Sequence, residues 1–259
     1  MLTHEQLREF HERGVLWQRG AVDPAAVAGL RERVLAFLAE RRVVPESPPP
    51  GFVVRPSVTA RVMRQLEFAK TWGDDVLAAI DDLVGPGAWQ PPAYAGQLLA
   101  IHHPEAGAAW KLPHQVWHLD YTAPASAARM PGVQPFLCVD RVEPRGGGTL
   151  LASGTHRLVD ALRSKRGPDW PGASAAVRKS LARDVPWLGA LLSLRPGEDR
   201  IARFMGQATV WGGVPLQVLE VVGEPGDVVF MHPWLLHAPS QNCGARPRMV
   251  LTERVRSRG

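Results

Sequence analysis

The sequence predicts a mostly β protein with flanking helices, built as a sandwich or barrel of jelly-roll type. Two observations carry this reading. From about Tyr94 onward, short apolar runs of strand length alternate with Gly/Pro turns. Before that point the apolar residues recur at helical spacing instead. We read the 259 residues as one domain, 1–259. Residues 1–92 form a mainly helical flank and linker, 93–156 and 206–256 the β core, and 157–205 an insertion.

Residues 3–41 read as helical. Thr3 followed by Gln6 resembles a capping box. Asp23 and Pro24 suit the cap and first position of a second helix. Val27, Leu30, Val34, Phe37 and Leu38 give that helix one apolar face. The proline-rich stretch 45–51 reads as a loop, and a helix over Asp74–Val84 ends at Gly85-Pro86-Gly87. Strands follow at Gln97–Ile101, around His118, at Gln134–Val139 and at Thr149–Ala152. Within 157–205, Ala173–Arg183 suits a helix. The insertion is either a lid over a pocket or packing at the end of the barrel. Strands resume at Val214–Val222, Asp227–Met231 and Arg248–Val255.

Composition excludes several classes. A hydrophobic share of 45% excludes a disordered chain. The net charge is +5, but arginines are scattered among acids and no block of five like charges occurs, so no nucleic-acid partner is expected. No apolar run reaches the roughly 20 residues that span a bilayer, so no membrane partner is expected. The two cysteines, Cys138 and Cys243, have no CxxC spacing and read as reduced thiols. The N-terminus shows no secretory signal pattern. The expected location is the cytoplasm. Nothing in the composition speaks to oligomeric state.

The chemistry concentrates in Trp117-His118-Leu119-Asp120-Tyr121. In a strand, residues i and i+2 share a face, so His118 and Asp120 project together. With His237 from Trp234-Leu235-Leu236-His237-Ala238-Pro239 they make a 2-His-1-carboxylate set. Such a set holds one face of an octahedral Fe(II) and leaves three positions open. The same donors suit Zn²⁺ with an open site, so a zinc-dependent hydrolase or isomerase is one rival reading. A non-catalytic barrel that binds a small molecule is the other, and the intact triad counts against it. Gln97, on the face of Leu99 and Ile101, and the aromatic neighbours Trp117 and Tyr121 are candidates for the substrate pocket. His102, His103, His114, His156 and His232 read as turn, surface or hydrogen-bonding residues.

The order HxD, distant His, then Arg resembles the Fe(II)/2-oxoglutarate oxygenases. The details resemble the phytanoyl-CoA dioxygenase family. The matching stretches are Trp117–Asp120, then Gly147-Gly148-Thr149-Leu150 leading to Ser153–His156, then His237 with Asn242 and Arg246-Pro247-Arg248. The resemblance covers about residues 94–255. It implies a double-stranded β-helix with His118, Asp120 and His237 as iron ligands, and 2-oxoglutarate and O₂ as co-substrates. It also implies an arginine on the far carboxylate of 2-oxoglutarate. Strand parity leaves Arg246 and Arg248 open. The family places its arginine eleven residues after the distal histidine, which selects Arg248; Arg246, before Pro247, is expected in solvent. Two positions after that histidine the family often has a small hydroxyl residue, where this chain has Pro239; Ser240 or Thr149 would take that contact. The activity implied is hydroxylation of an unactivated C–H bond of a small molecule, with release of succinate and CO₂. Asp120 argues against a halogenase, which has a small residue there.

Overall fold

The computed structural model describes residues 1–96, 98–105, 107–120, 130–170 and 173–258. Gln97 and Tyr121, both expected near the substrate, lie outside the described residues.

The expected capping box is formed: Thr3 accepts from the Gln6 N–H, and Gln6 accepts in return. It starts α1 (His4–Arg13). The stretch 3–41 is not helical throughout, however. Gly14 takes φ 74° and ends α1, and Val15–Gln18 forms strand β1. A left-handed residue terminates the helix, and the Val-Leu-Trp run then finds a sheet edge to pair with. Asp23 caps α2 (Pro24–Glu40), with Val27, Leu30, Val34, Phe37 and Leu38 buried as the periodicity requires. Two short helices went unanticipated, α3 (Pro56–Met63) and α4 (Phe68–Trp72). Helix α5 (Asp74–Val84) has the predicted limits.

Strands β2 (Leu98–His102), β3 (Gly132–Cys138) and β4 (Leu150–Ser153) come next. The insertion contributes α6 (Thr155–Arg166), α7 (Ser174–Asp184), α8 (Pro186–Leu191) and α9 (Arg200–Met205). The chain ends with β5 (Thr209–Trp211), β6 (Val214–Glu220), β7 (Val228–Met231), β8 (His237–Ala238), β9 (Arg248–Thr252) and β10 (Val255–Arg256). All pairings are antiparallel. The larger sheet runs β1-β7-β3-β9-β2, with β10 on β3; the smaller runs β5-β6-β4-β8.

Apolar side chains fill three layers. Helices α2–α5 cover one face of the larger sheet through Val34, Ile80, Leu99, Leu137 and Leu251. Phe136, Val229, Met231 and Val250 of the larger sheet meet Leu151 and Val221 between the sheets. Helices α6–α9 cover the outer face of the smaller sheet, where Val177, Leu188 and Phe204 meet Leu150, Ala152, Leu216 and Leu236. The mostly β fold with flanking helices is a cupin-like jelly roll. No described helix is long and apolar enough to cross a membrane.

Candidate metal centre

The inner face of the smaller sheet carries the site. Along β8, Leu236 and Ala238 turn outward into the helix-covered layer, so His237 turns inward. Trp117 and Leu119 also turn outward, and His118 and Asp120 therefore share the inner side. The expected strand around His118 is reduced to a single bridge: His118 and His237 exchange both backbone hydrogen bonds, at 2.9 and 3.0 Å. That bridge sets the two imidazoles 4.2 Å apart, ring centre to ring centre. Asp120 Oδ1 lies 3.6 Å from His118 Nε2, and Asp120 Oδ2 lies 3.4 Å from His237 Nε2. Three donor atoms, one per residue, fall within 4.8 Å of one another.

The second nitrogens decide what these rings can bind. His118 Nδ1 is 2.9 Å from the Val116 carbonyl, and His237 Nδ1 is 3.1 Å from the Leu235 carbonyl. A carbonyl only accepts, so each Nδ1 carries the proton and each Nε2 keeps its lone pair. This is the tautomer a metal ligand needs, fixed by a backbone partner. Burial first, and then His237, push His118 below the usual histidine range, which keeps it neutral. Burial alone would raise Asp120. The Arg254 guanidinium and the Gln134 amide oppose it and hold the carboxyl below the usual carboxylate range. Two neutral nitrogens and one anionic oxygen on one face fit a divalent iron.

Arg254 and Gln134 were not singled out in the sequence. Arg254 Nη2 lies 2.7 Å from Asp120 Oδ1, and Gln134 Nε2 donates to Asp120 Oδ2 at 3.1 Å. A signal existed for the first: positions 248 and 254 share parity along the expected strand. Nothing local marked the second, because only the fold brings β3 under Asp120.

Arg248 sits on the inner face of β9 at 5% exposure, whereas Arg246 is exposed. Its Nη2 donates to Thr149 Oγ1 at 3.0 Å, which ties the two sheets together. Its Nε is buried and has no partner among the described residues. Burial draws its guanidinium down to about 10, so it is still a cation at neutral pH. His102, its register partner, is pulled to about 4 by burial and by Arg248 and adds no second charge. A buried cation with an unused N–H suits an incoming carboxylate. Ser240 is buried, but its hydroxyl donates to the Gly148 carbonyl at 2.7 Å. Trp117, expected at the substrate pocket, is fully buried on the opposite face, where its Nε1 donates to the Pro113 carbonyl. Strand alternation sends it away from its histidine neighbour.

The family model for phytanoyl-CoA dioxygenase matches residues 10–250. This chain belongs to the phytanoyl-CoA dioxygenase family. It is a 2-oxoglutarate-dependent non-haem iron enzyme, with Fe(II) as its metal and 2-oxoglutarate as its co-substrate. No curated protein matches the chain significantly. Among solved structures, HygX from Streptomyces hygroscopicus with nickel and 2-oxoglutarate bound is 16% identical, with a TM-score of 0.51 over 99% of this chain and 87% of that one. The epimerase SnoN in complex with Fe³⁺, alpha ketoglutarate and nogalamycin RO is 15% identical, with a TM-score of 0.51 over 97% and 82%. EvdO2 from Micromonospora carbonacea var. aurantiaca complexed with 2-oxoglutarate is 13% identical, with a TM-score of 0.52 over 100% and 92%. These likenesses support the fold.

Proposed function

We propose that the enzyme hydroxylates an unactivated C–H bond of a small molecule. In this reading His118, Asp120 and His237 hold the iron, and Arg248 holds the far carboxylate of 2-oxoglutarate. The observation that carries it is the complete triad, with both Nε2 lone pairs and one carboxylate on the inner face that Arg248 also lines. Bound Fe(II) and 2-oxoglutarate supply oxidation by O₂, with release of succinate and CO₂. The protein does the rest. The two carbonyls orient the imidazoles, and Arg254 and Gln134 hold Asp120 as a carboxylate. Arg248, hydrogen-bonded to Thr149, offers its remaining donors to the co-substrate. The apolar layer between the sheets keeps water from this charge pair.

The test runs in two steps. Anaerobic addition of Fe(II) and 2-oxoglutarate should produce a visible charge-transfer band. Addition of O₂ and a metabolite extract should then give succinate and a product heavier by one oxygen. No band would overturn the site assignment. Succinate formed with a product lacking the added oxygen would replace hydroxylation by desaturation, ring closure or epimerisation.

A further inference from the structure

The segment that carries two of the three proposed ligands is an edge with a sheet partner on one side only. In a strand, backbone groups of alternate residues point to opposite sides. His118 spends its N–H and C=O on His237. The groups of Trp117 and Leu119 point the other way, where no described strand lies alongside. Two of these groups are nevertheless satisfied. The Leu119 N–H donates to Ser174 Oγ at 2.9 Å. Arg178 Nη1 donates to the Trp117 carbonyl at 2.8 Å and to the Gln115 carbonyl at 3.1 Å. Ser174 and Arg178 stand four apart on α7, so one helix face presents both. A second pin lies upstream. Buried Arg200 donates to the Leu112 and Pro113 carbonyls and also to those of Ala190, Leu191 and Ser193. It ties the end of α8 to the approach of the ligand segment. Trp117 and Leu119 pack into the same apolar layer as Val177 and Leu181 of α7.

We propose that the insertion is a brace for the metal centre, and that Ser174 and Arg178 are positioning residues which act through the His118 segment. Their side chains stand in for a neighbouring strand: one acceptor for Leu119, and one nitrogen, Arg178 Nη1, that donates to both Trp117 and Gln115. This rests on the triad reading. Leu119 lies between two ligands, so any slip of its N–H moves both His118 and Asp120. Outer groups that orient ligands typically change metal affinity by about 10–100-fold when removed.

Cobalt(II) is the probe, because its visible bands report coordination directly. It is titrated into the full chain by absorbance and calorimetry, and amide exchange of residues 115–120 is followed alongside. Ser174→Ala and Arg178→Met should each weaken Co(II) binding about tenfold and alter the band shape. Exchange at Leu119 should accelerate. Ser174→Thr should restore binding, because it keeps the acceptor. Arg178→Lys should restore part, because an ammonium can donate to the same carbonyls but from a differently placed, strongly hydrated nitrogen; it also serves as the test should Arg178→Met fail to fold. His118→Ala is the control. If it still binds Co(II) normally, the triad reading falls. If His118→Ala abolishes binding while the Ser174 and Arg178 variants keep wild-type Co(II) affinity and spectrum, even with a lowered Tm, the brace is overturned.

Discussion

Two imidazoles, one carboxylate and one guanidinium divide the work at the level of single residues, and they should fail differently. Removing His118 or His237 takes away a neutral donor already fixed in its ligand tautomer. His118→Ala and His237→Ala should each lower Fe(II) affinity by more than about a hundredfold, since loss of a ligand exceeds the usual effect of losing an outer partner. Equilibrium dialysis checks this; unchanged stoichiometry in both variants would remove these residues from the site. Arg248 should separate from the metal. It is a buried cation whose Nε lacks a partner, so a carboxylate there gains a charged partner that water cannot replace. Losing one partner of such a pair costs about 2–5 kcal/mol, or roughly 30- to several-thousand-fold. Arg248→Ala should therefore raise the 2-oxoglutarate KM by that order while Fe(II) binding survives. Arg248→Lys should recover only part. Arg246→Ala should be mild, because that side chain is exposed. Uncoupled decarboxylation of 2-oxoglutarate compares the three without the substrate.

At the scale of elements, the join between α1 and β1 is the point where local sequence and fold meet most tightly. Gly14 adopts φ 74°, and its N–H closes the end of α1 on Phe10. A Cβ there would come within 2.5 Å of His156 Nδ1 and 2.6 Å of Leu235 Cδ1. Gly14→Ala thus combines left-handed strain, about 1–2 kcal/mol, with overpacking, about 1–3 kcal/mol. A loss of about 2–5 kcal/mol in urea unfolding is expected. A change under 1 kcal/mol would show that α1 swings away freely and that β1 does not depend on this turn. The same join explains why periodicity misread residues 15–18. Val15, Leu16 and Trp17 extend a helical apolar pattern on paper, yet they pair with β7 in register Val15 to Met231 through Trp17 to Val229.

Across the whole molecule, buried neutral histidines should set the acid limit of stability. Burial, opposed in part by the hydrogen bond to the His11 carbonyl, takes His156 down to about 4. Burial likewise pushes His232, stacked 4.8 Å away, well below the usual range. Unfolded, each returns to about 6.5. Between these values the unfolded chain binds protons that the folded chain does not. Stability is therefore full above about pH 6.5 and falls as the pH drops toward 4. For His156 alone the loss is about 3 kcal/mol on crossing that window. Urea midpoints measured from pH 7.5 to 4.5 should fall steadily, and His156→Gln should flatten part of the slope. A midpoint that does not move would mean these rings are protonated in the fold.

Local patterns determined much of this protein. A cap and helical periodicity marked α2 at its start, and a Gly-Pro-Gly stop marked α5 at its end, because caps, stops and apolar faces are properties of neighbouring residues. The i, i+2 spacing of His118 and Asp120 was enough to put them on one side, since strand alternation needs no tertiary information. That Arg248 is buried and Arg246 exposed was legible too, though only through the resemblance to a family, because parity treats them alike. What the tertiary structure decided is which distant groups meet. It cut the expected ligand strand to one bridge and handed its other edge to Ser174 and Arg178. It also brought Arg254 and Gln134 onto Asp120 and turned Trp117 away from the site. Contacts between residues 14 to 134 positions apart depend on sheet order and helix packing, and no periodicity records either.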